Sequence, residues 1–202
     1  MSTVTPPERV AVFAATSLER RAAARYVKGV QIVECGVALS KIHSVPPVDV
    51  AISFGLAGGL RDGVPTGSLV IPYAVYSTSG EIKTCDEAWT QRLRAAAASL
   101  GYPLVDAPLL TSSTIVSGAQ RARWANDGLA AVDMETMQLP VERIAAVRVV
   151  LDTPQHELSP DWIDPARALL NPKNWPQALW LARNAPRCAE IAAKVIAKAL
   201  SG

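Results

Sequence analysis

The sequence has few of the residues that build covalent or metal-held frameworks. Its three cysteines (Cys35, Cys85 and Cys188) are odd in number, far apart and not in CxxC pairs, which argues against a disulfide framework and a zinc cage. The two histidines, His43 and His156, lack metal-ligand spacing to any other ligand. We therefore expect neither a metal nor an organic cofactor, and the cysteine usage fits a reducing, cytoplasmic location.

Long apolar runs and blocks of one charge are also missing. No uncharged apolar run approaches the ~18 residues that a membrane-spanning helix needs. Residues 1–9 are polar, contain two prolines and lack the apolar core of a signal peptide, so we expect a flexible N-terminus and no integral membrane segment. The net charge is only +2 and no basic run interleaves with aromatics, which argues against nucleic acid as a partner.

What the chain does contain is enough apolar material for a sizeable core. Half of its 202 residues are hydrophobic, and this length predicts one domain over residues 1–202. Apolar runs predict strands at 10–15, 30–35, 48–54, 69–75, 109–116 and 145–151, and helical composition or period predicts helices at 19–26, 86–100, 133–144 and 186–200. Strands that alternate with helices predict an α/β fold with a mostly parallel, helix-covered sheet.

A glycine-rich segment follows the third predicted strand and is interpreted as a turn. Gly55, Ala57 and Gly58 lie within Gly55–Leu60, where ligands bind in open α/β sheets. Glycines there let backbone N–H groups approach an anion or a sugar hydroxyl. The alternative is a tight turn with a purely structural role. The pattern is neither GxGxxG nor a P-loop, so a dinucleotide-binding oxidoreductase is poorly supported.

Four further side chains are candidates for binding or chemistry. In the segment Asp133-Met134-Glu135, Glu135 could accept two ribose hydroxyl hydrogen bonds and Met134 could lie against a sugar face. Alternatively, Asp133 caps the predicted helix and Glu135 favours its dipole. Asp152 ends a predicted strand and could donate a proton to a leaving group, or it could be a turn residue.

Glu19 lies just after the first predicted strand, at the same edge of the sheet. There it could orient and deprotonate a water molecule. The alternative is a solvated helix carboxylate beside Arg20 and Arg21.

Together these segments resemble the purine nucleoside phosphorylase superfamily. The segments that carry the resemblance are SFGLAGGL (53–60), PTGSLV (65–70), VDME (132–135) and VRVVLD (147–152). The turn AATSLE (14–19) resembles the methylthioadenosine/S-adenosylhomocysteine nucleosidases, and the region 81–132 is similar to the hopanoid-associated phosphorylases, which are thought to remove adenine from adenosylhopane. The resemblance covers about residues 10–155.

The resemblance implies a three-layer sandwich that binds a small-molecule purine nucleoside and cleaves its N-glycosidic bond. It implies that Glu135 holds the ribose hydroxyls above Met134, that Asp152 protonates the purine at N7, and that Glu19 activates water. The segment Gly55–Gly59 would form the floor of the site. It also suggests a homodimer or a higher homo-oligomer.

Departures from the family pattern leave three functions open. Leu151 replaces the usual serine before the acid, and Ala119 stands where the nucleosidases often have an aspartate. A nucleosidase would use water and Glu19. A phosphorylase acting on an apolar 5′-substituted adenosine would use phosphate as co-substrate and would need cations such as Arg20, Arg21 or Arg61 nearby. A non-catalytic nucleoside-binding protein would keep only the fold.

Overall fold

The structure is a computed structural model that describes residues 8–42, 44 and 46–202. Most of the predicted flexible segment 1–9, and His43, lie outside the described residues. The strands are β1 (Val10–Ala14), β2 (Gln31–Glu34), β3 (Val50–Gly59), β4 (Leu69–Val70), β5 (Ala74–Ser77), β6 (Ile82–Thr84), β7 (Leu104–Val105), β8 (Leu109–Thr111), β9 (Ala131–Asp133) and β10 (Arg143–Val150). The α-helices are α1 (Ser17–Tyr26), α2 (Glu87–Ser99), α3 (Ala119–Asn126), α4 (Pro165–Leu170) and α5 (Trp175–Leu200).

The strands form one mixed sheet with β3 at its centre. The order is β6-β5-β8-β9-β3-β10-β4-β7, and β1 pairs with β2 and with the first half of β3. The pairs β1–β2, β1–β3, β3–β10, β4–β7, β5–β8 and β8–β9 are parallel. The pairs β4–β10, β3–β9 and β5–β6 are antiparallel. The predicted α/β fold with a mostly parallel sheet is therefore confirmed.

Both faces of the central strands are buried, which explains their continuous apolar runs. In β1, Val12 and Ala14 belong to a core shared with α1, α2 and α5, whereas Ala11 and Phe13 face a second core on the other side. The helix α5 packs against α1, α2, β3 and β10, so it covers one whole face of the sheet centre. This packing holds the carboxyl ends of β1, β3 and β10 at one edge.

Two helices begin where the sequence predicts. Thr16 caps α1 and forms a capping box with Glu19, and Asp86 caps α2 by accepting the Trp89 N–H at 2.9 Å. Side-chain oxygens at these positions satisfy backbone N–H groups that have no partner inside the helix. The helices predicted at 19–26 and 86–100 are thus confirmed.

The predicted turn at Gly55–Leu60 is wrong, because β3 continues unbroken to Gly59. Its glycines serve close packing across the strand. A Cβ on Gly55 would lie 2.2 Å from Glu19 Oε1, and one on Gly59 would lie 3.1 Å from a Val150 methyl. Glycine is required where another group approaches the backbone this closely.

Two predicted strands are shorter than expected. The run 69–75 divides into β4 and β5, with Pro72 between them, since proline has no N–H to donate to a strand ladder. The run 109–116 is a strand only over Leu109–Thr111. Beyond it, the Ser112 hydroxyl accepts the Thr114 N–H at 3.2 Å, which closes a local turn.

The helix predicted at 133–144 is also wrong. Asp133 ends β9, a short 3-10 turn covers Thr136–Gln138, and β10 begins at Arg143. Of the apolar residues in this segment, Ile144 lies in β10 and Leu139 packs into the core, and Pro140 prevents helix continuation.

The last helix starts eleven residues before the predicted Pro186, at Trp175. Pro186 lies inside α5 on its exposed face, so the backbone hydrogen bond it removes opens toward solvent.

Candidate active site

A cavity of about 240 Å³ lies at the edge where β1, β3 and β10 end. The side chains of Glu19, Asp133, Met134, Glu135 and Asp152 all line it. These residues come from three separate parts of the chain. Glu19 and Asp152 meet because β1 and β10 run parallel to β3 and end at the same edge of the sheet, and the antiparallel β9 brings 133–135 alongside the end of β3. The convergence predicted from the sequence is therefore present in the fold.

Glu19 is a buried carboxylate with three hydrogen-bond donors. The Thr16 N–H and hydroxyl both donate to Oε2 at 2.8 Å, and the Leu56 N–H donates to Oε1 at 2.8 Å. The residue is 3% exposed, so the alternative of a solvated helix carboxylate is wrong; the neighbouring Arg20 turns outward to Glu34 instead. An ionised carboxylate accepts about four hydrogen bonds, which leaves Glu19 room for one more donor, such as water.

Glu135 is buried beside a strained backbone segment. Its Oε1 accepts the Ala38 N–H at 3.2 Å, and its Oε2 lies 3.3 Å from Arg148 Nη2. Ala38 and Leu39 have φ angles of 50° and 60°, which non-glycine residues rarely adopt. Burial raises the pKa of Glu135 to about 7, an increase that Arg148 opposes and that Asp133 and Glu19 reinforce.

Beneath Glu135, Arg148 and Asp133 form a buried ion pair at 2.7 Å. Arg148 also donates to Ser53 Oγ at 2.6 Å and to Thr136 Oγ1 at 3.1 Å. Asp133 accepts the Thr111 hydroxyl at 2.6 Å and the Thr136 N–H at 3.3 Å. Asp133 is thus fully engaged with the protein, and its position suits holding Arg148 rather than offering a free carboxylate.

The local charge balance of this cluster is negative. One guanidinium, Arg148, faces the carboxylates Asp133 and Glu135 in ion-pair contact. Arg148 Nη1 and Glu19 Oε1 both lie within 3 Å of the point that a Cβ on Gly55 would occupy. Three buried acidic side chains therefore surround one arginine. This excess of acidic groups would stabilise a positively charged group that enters the cavity.

Asp152 forms a second buried ion pair, with Arg121 on α3. Arg121 also donates to the backbone carbonyls of Val116, at 3.0 Å, and Gly59, and it lies 3.2 Å from Glu157 Oε1. Burial raises the pKa of the Asp152 carboxyl, and the facing guanidinium opposes that increase.

The segment 56–58 of β3 provides the floor beneath these side chains. Ala57 and Gly58 line the cavity, and a Cβ on Gly58 would lie 3.3 Å from Asp152 Oδ1. Gly55 is absent from the described cavity lining and instead leaves room for Glu19 and Arg148. Gly55 was expected in the binding surface, but it lies behind that surface and gives space to two side chains of the site.

Arg121 and Arg148 are the important residues of this site to which the sequence analysis assigned no role. Arg148 carried a signal, because a charged residue inside an apolar strand must find buried partners. Arg121 carried none, since arginines are ordinary on a short, polar helix such as α3. Its role depends on tertiary contacts with Asp152 and Glu157.

The cations named for a phosphate subsite lie elsewhere. Arg20 and Arg21 are exposed, and neither they nor Arg61 line the cavity. Among the described residues lining it, the one cation is Arg121, which is already paired. A phosphorylase mechanism is therefore unsupported by the arrangement of charges.

The cysteines are unsuited to nucleophilic chemistry. All three are free and buried, and burial raises the pKa of Cys35 and Cys85 to about 12 and that of Cys188 to about 11. Such thiols stay protonated at neutral pH. Within the described part of the chain, no three His, Cys, Asp or Glu side chains converge as metal ligands. Likewise, no described helix is long and apolar enough to cross a bilayer.

Comparison with known proteins agrees with this geometry. The family model of the phosphorylase superfamily matches residues 14–140, which is more than half of the chain. The chain belongs to the phosphorylase superfamily. The match includes Glu19, the whole of β3 and the segment 133–135, so the superfamily predicted from these motifs is confirmed. No curated protein matches the sequence.

Solved structures of this superfamily fold are similar over almost the full length. Methylthioadenosine/S-adenosylhomocysteine nucleosidase from Neisseria meningitidis, in complex with methylthio-immucillin-A, gives a TM-score of 0.71 at 15% identity and covers 96% of this chain and 99% of its own. A futalosine hydrolase mutant from Helicobacter pylori gives 0.71 at 10% identity with the same coverage. S-adenosylhomocysteine nucleosidase from Streptococcus pyogenes, with 5-methylthiotubericidin, gives 0.70 at 12% identity and covers 98% of both chains. These likenesses show a shared fold.

Proposed function

We propose that this chain hydrolyses the N-glycosidic bond of a purine nucleoside, with a 5′-substituted adenosine as substrate. The observation that carries the proposal is the meeting of buried Glu19, Glu135 and Asp152 around one cavity. Glycoside cleavage passes through an oxocarbenium-like transition state, which is positively charged at the sugar. The negative cluster around Glu135 would stabilise that charge electrostatically.

Each of the three acids has a place in this mechanism. Glu135 accepts the ribose hydroxyls, exchanging its contact with the Ala38 N–H for a substrate hydroxyl, while Met134 packs against the sugar. Glu19 uses its remaining lone pair to accept a proton from the attacking water. Asp152 donates to N7 of the departing purine; burial raises the pKa of this carboxyl, which is the direction that a proton donor needs.

Water is proposed as the nucleophile because none of the described residues that line the cavity offers phosphate an unpaired cation. Arg121, the described cation that lines it, is committed to Asp152. The 5′ group is assigned an apolar character, since Leu158, Trp162 and Ile115 line the cavity. The alternative is a phosphorylase that removes adenine from a larger apolar substrate such as adenosylhopane. In that case base release should depend strictly on phosphate.

A non-catalytic nucleoside-binding protein is the remaining alternative, and one observation favours it. The ion pair with Arg121 holds Asp152 in its charged form, in which it has no proton to donate. For catalysis, bound substrate has to shift Arg121 toward Glu157, so that Asp152 takes up a proton from solvent and passes it to N7.

The test follows release of free base by chromatography. Methylthioadenosine, adenosine, inosine and an apolar 5′-substituted adenosine are each incubated with and without phosphate. We expect phosphate-independent release of adenine that falls about 10²–10⁴-fold in Asp152→Asn and in Glu19→Gln. The exposed Glu142→Gln variant is the matched control and should keep full activity. Release only with phosphate supports the phosphorylase, and adenosine binding without any release supports the binding protein.

A further inference from the structure

Among the described residues, four of the seven exposed large hydrophobic side chains lie in one stretch, residues 169–179. Leu169 is 51% exposed, Leu170 84%, Trp175 57% and Leu179 66%. The other exposed large hydrophobics, Tyr73, Ile82 and Leu100, come from separate elements. Scattered exposed apolar residues are ordinary, but a cluster of this kind marks an interaction surface.

The four side chains lie on α4 and the first turns of α5, two elements that are in direct contact. The Trp175 indole N–H donates to the Leu169 carbonyl at 3.1 Å, which fixes the start of α5 against the end of α4. Leu170 follows Leu169 directly, and Leu179 lies one helical turn beyond Trp175 on the same face. We call residues 167–187 the C-terminal surface.

The C-terminal surface is purely basic in its charged residues. Between residues 165 and 189 the sequence has four cations and no acid, and all four cations are exposed: Arg167, Lys173, Arg183 and Arg187. None of them forms an ion pair with another described residue. Two acids flank this stretch: Asp161 accepts the Asn174 amide at 2.9 Å, and Asp164 caps α4.

From these observations, we propose that the C-terminal surface docks on an anionic lipid bilayer. Trp and Leu on one face with Lys and Arg around them are the composition of helices that lie in the membrane interface. The apolar side chains would enter the boundary between headgroups and acyl chains, and the cations would face anionic headgroups.

A second copy of this chain fits the surface less well. In a two-fold interface a patch contacts the same patch of the partner. Lys173, Arg183 and Arg187 would then approach their own copies, and residues 165–189 contain no acid that could separate them. Like charges brought together across an interface oppose association, whereas an anionic bilayer neutralises them.

The docked surface would lie directly behind one wall of the cavity. Gln177, in the first turns of α5, accepts the Trp162 indole N–H at 2.8 Å and the Ser159 N–H at 3.0 Å, and donates to the Glu157 carbonyl at 3.0 Å. Trp162 and Leu158 line the cavity. A bilayer on the C-terminal surface would therefore bring the lipid phase beside the site.

Vesicle sedimentation tests the proposal without any enzymatic readout, so its outcome is separate from that of the proposed function. The purified chain is centrifuged with phosphatidylcholine vesicles and with vesicles containing phosphatidylglycerol, at low and high salt. We expect binding to the anionic vesicles that weakens with salt. Lys173→Gln and Arg183→Gln should each reduce binding about fivefold.

The apolar contribution is tested with the Leu170→Ser/Leu179→Ser variant, which should lose most of the remaining binding. Ile82→Ser, at a 60% exposed position on β6, is the matched control and should bind like the wild type. Circular dichroism confirms that each variant is folded. Absence of binding to anionic vesicles, or binding that neither set of variants weakens, would overturn the proposal. So would a dimer in analytical ultracentrifugation that the double serine variant dissociates, because that result assigns the surface to a second copy.

Discussion

Arg121 and Asp152 form a buried ion pair on the wall of the cavity, with 2% and 8% of their surfaces exposed. Such pairs contribute little net stability, because desolvation of both charges offsets their attraction. Removing one partner is a different matter, since it leaves an uncompensated charge in the interior. The stability of the fold therefore depends on the charge of Asp152, which is also the proposed proton donor.

Breaking this ion pair should be costly, whichever partner is changed. We expect Arg121→Gln to reduce the free energy of unfolding at neutral pH by about 3–5 kcal/mol, because Asp152 then remains buried without its cation. The double variant with Asp152→Asn should lose much less than the sum of the two single losses. Urea denaturation of all three variants measures this. Arg20→Gln, which breaks the exposed pair with Glu34, is the control and should cost at most ~1 kcal/mol. Simple additivity of the two buried variants would refute the coupling.

Glu135 should make the stability of the protein depend on pH. Its pKa of about 7 in the folded chain lies above the ordinary 4.5, so folding favours the neutral carboxyl. The resulting stabilisation is fully present below pH 4.5 and is lost as the pH rises through 7. Between pH 4.5 and a pH above 7, the free energy of unfolding of the wild type should fall by about 3 kcal/mol relative to that of Glu135→Gln.

Thermal or urea unfolding of wild type and Glu135→Gln at pH 4.5, 6, 7 and 8 checks this dependence. The exposed Glu142→Gln variant controls for the general effect of removing a negative charge. If the difference in free energy of unfolding between wild type and Glu135→Gln stays constant from pH 4.5 to 8, then the pKa of Glu135 is not raised by folding.

The sequence predicted the edge of the sheet correctly because the information there is local. Apolar runs mark β1, β3 and β10, and each run ends next to a residue of the site. Glu19 and Asp152 could therefore be placed together before any coordinates, once the sheet was taken as parallel, whereas Glu135 joined them only through the family resemblance. Thr16 and Asp86 are likewise local signals, since a helix cap depends on a few consecutive residues.

The errors arose where distant contacts decide the conformation. In the segment 55–59, Gly55 and Gly59 leave space for the side chains of Glu19 and Val150 and do not form a turn. Only the folded sheet shows these close approaches. Pro186 suggested a helix start because the buried face of α5 begins at Ala185, whereas the helix itself extends back through more exposed residues to Trp175. Arg121 reaches Asp152 across 31 residues of sequence, a distance over which no local pattern carries information.

The strained segment beside Glu135 offers a stabilising substitution. Ala38 has φ 50° and ψ 37°, in the left-handed region where a Cβ costs about 1–2 kcal/mol. Ala38→Gly relieves that strain, so we expect a gain of up to ~1 kcal/mol in the free energy of unfolding, net of the greater entropy of unfolded glycine. Its N–H still donates to Glu135, so activity should persist. In the control, Ala24→Gly in the exposed face of α1 should destabilise by about 1 kcal/mol. Equal destabilisation by both glycines would show that Ala38 is not strained.

Gly55 should be intolerant of even one added methyl group. In Gly55→Ala the new Cβ would meet Glu19 Oε1 at 2.2 Å and Arg148 Nη1 at 2.9 Å, which forces both side chains away from β3. We expect a loss of about 1–3 kcal/mol of stability from the overpacking. Base release should also fall, because Glu19 would lose the Leu56 N–H that orients it. Denaturation and the chromatographic assay measure the two effects.

Two comparisons separate this clash from ordinary backbone strain at Gly55. Gly63 has φ +79° and open space around its would-be Cβ, so Gly63→Ala should cost only the ~1–2 kcal/mol of a left-handed alanine and leave base release unchanged. In a Glu19→Ala background the nearest clashing atom is gone, so adding Gly55→Ala should cost less than it does in the wild type. If the cost is the same in both backgrounds, then Gly55 is required by its own φ of 153° and not by the approach of Glu19.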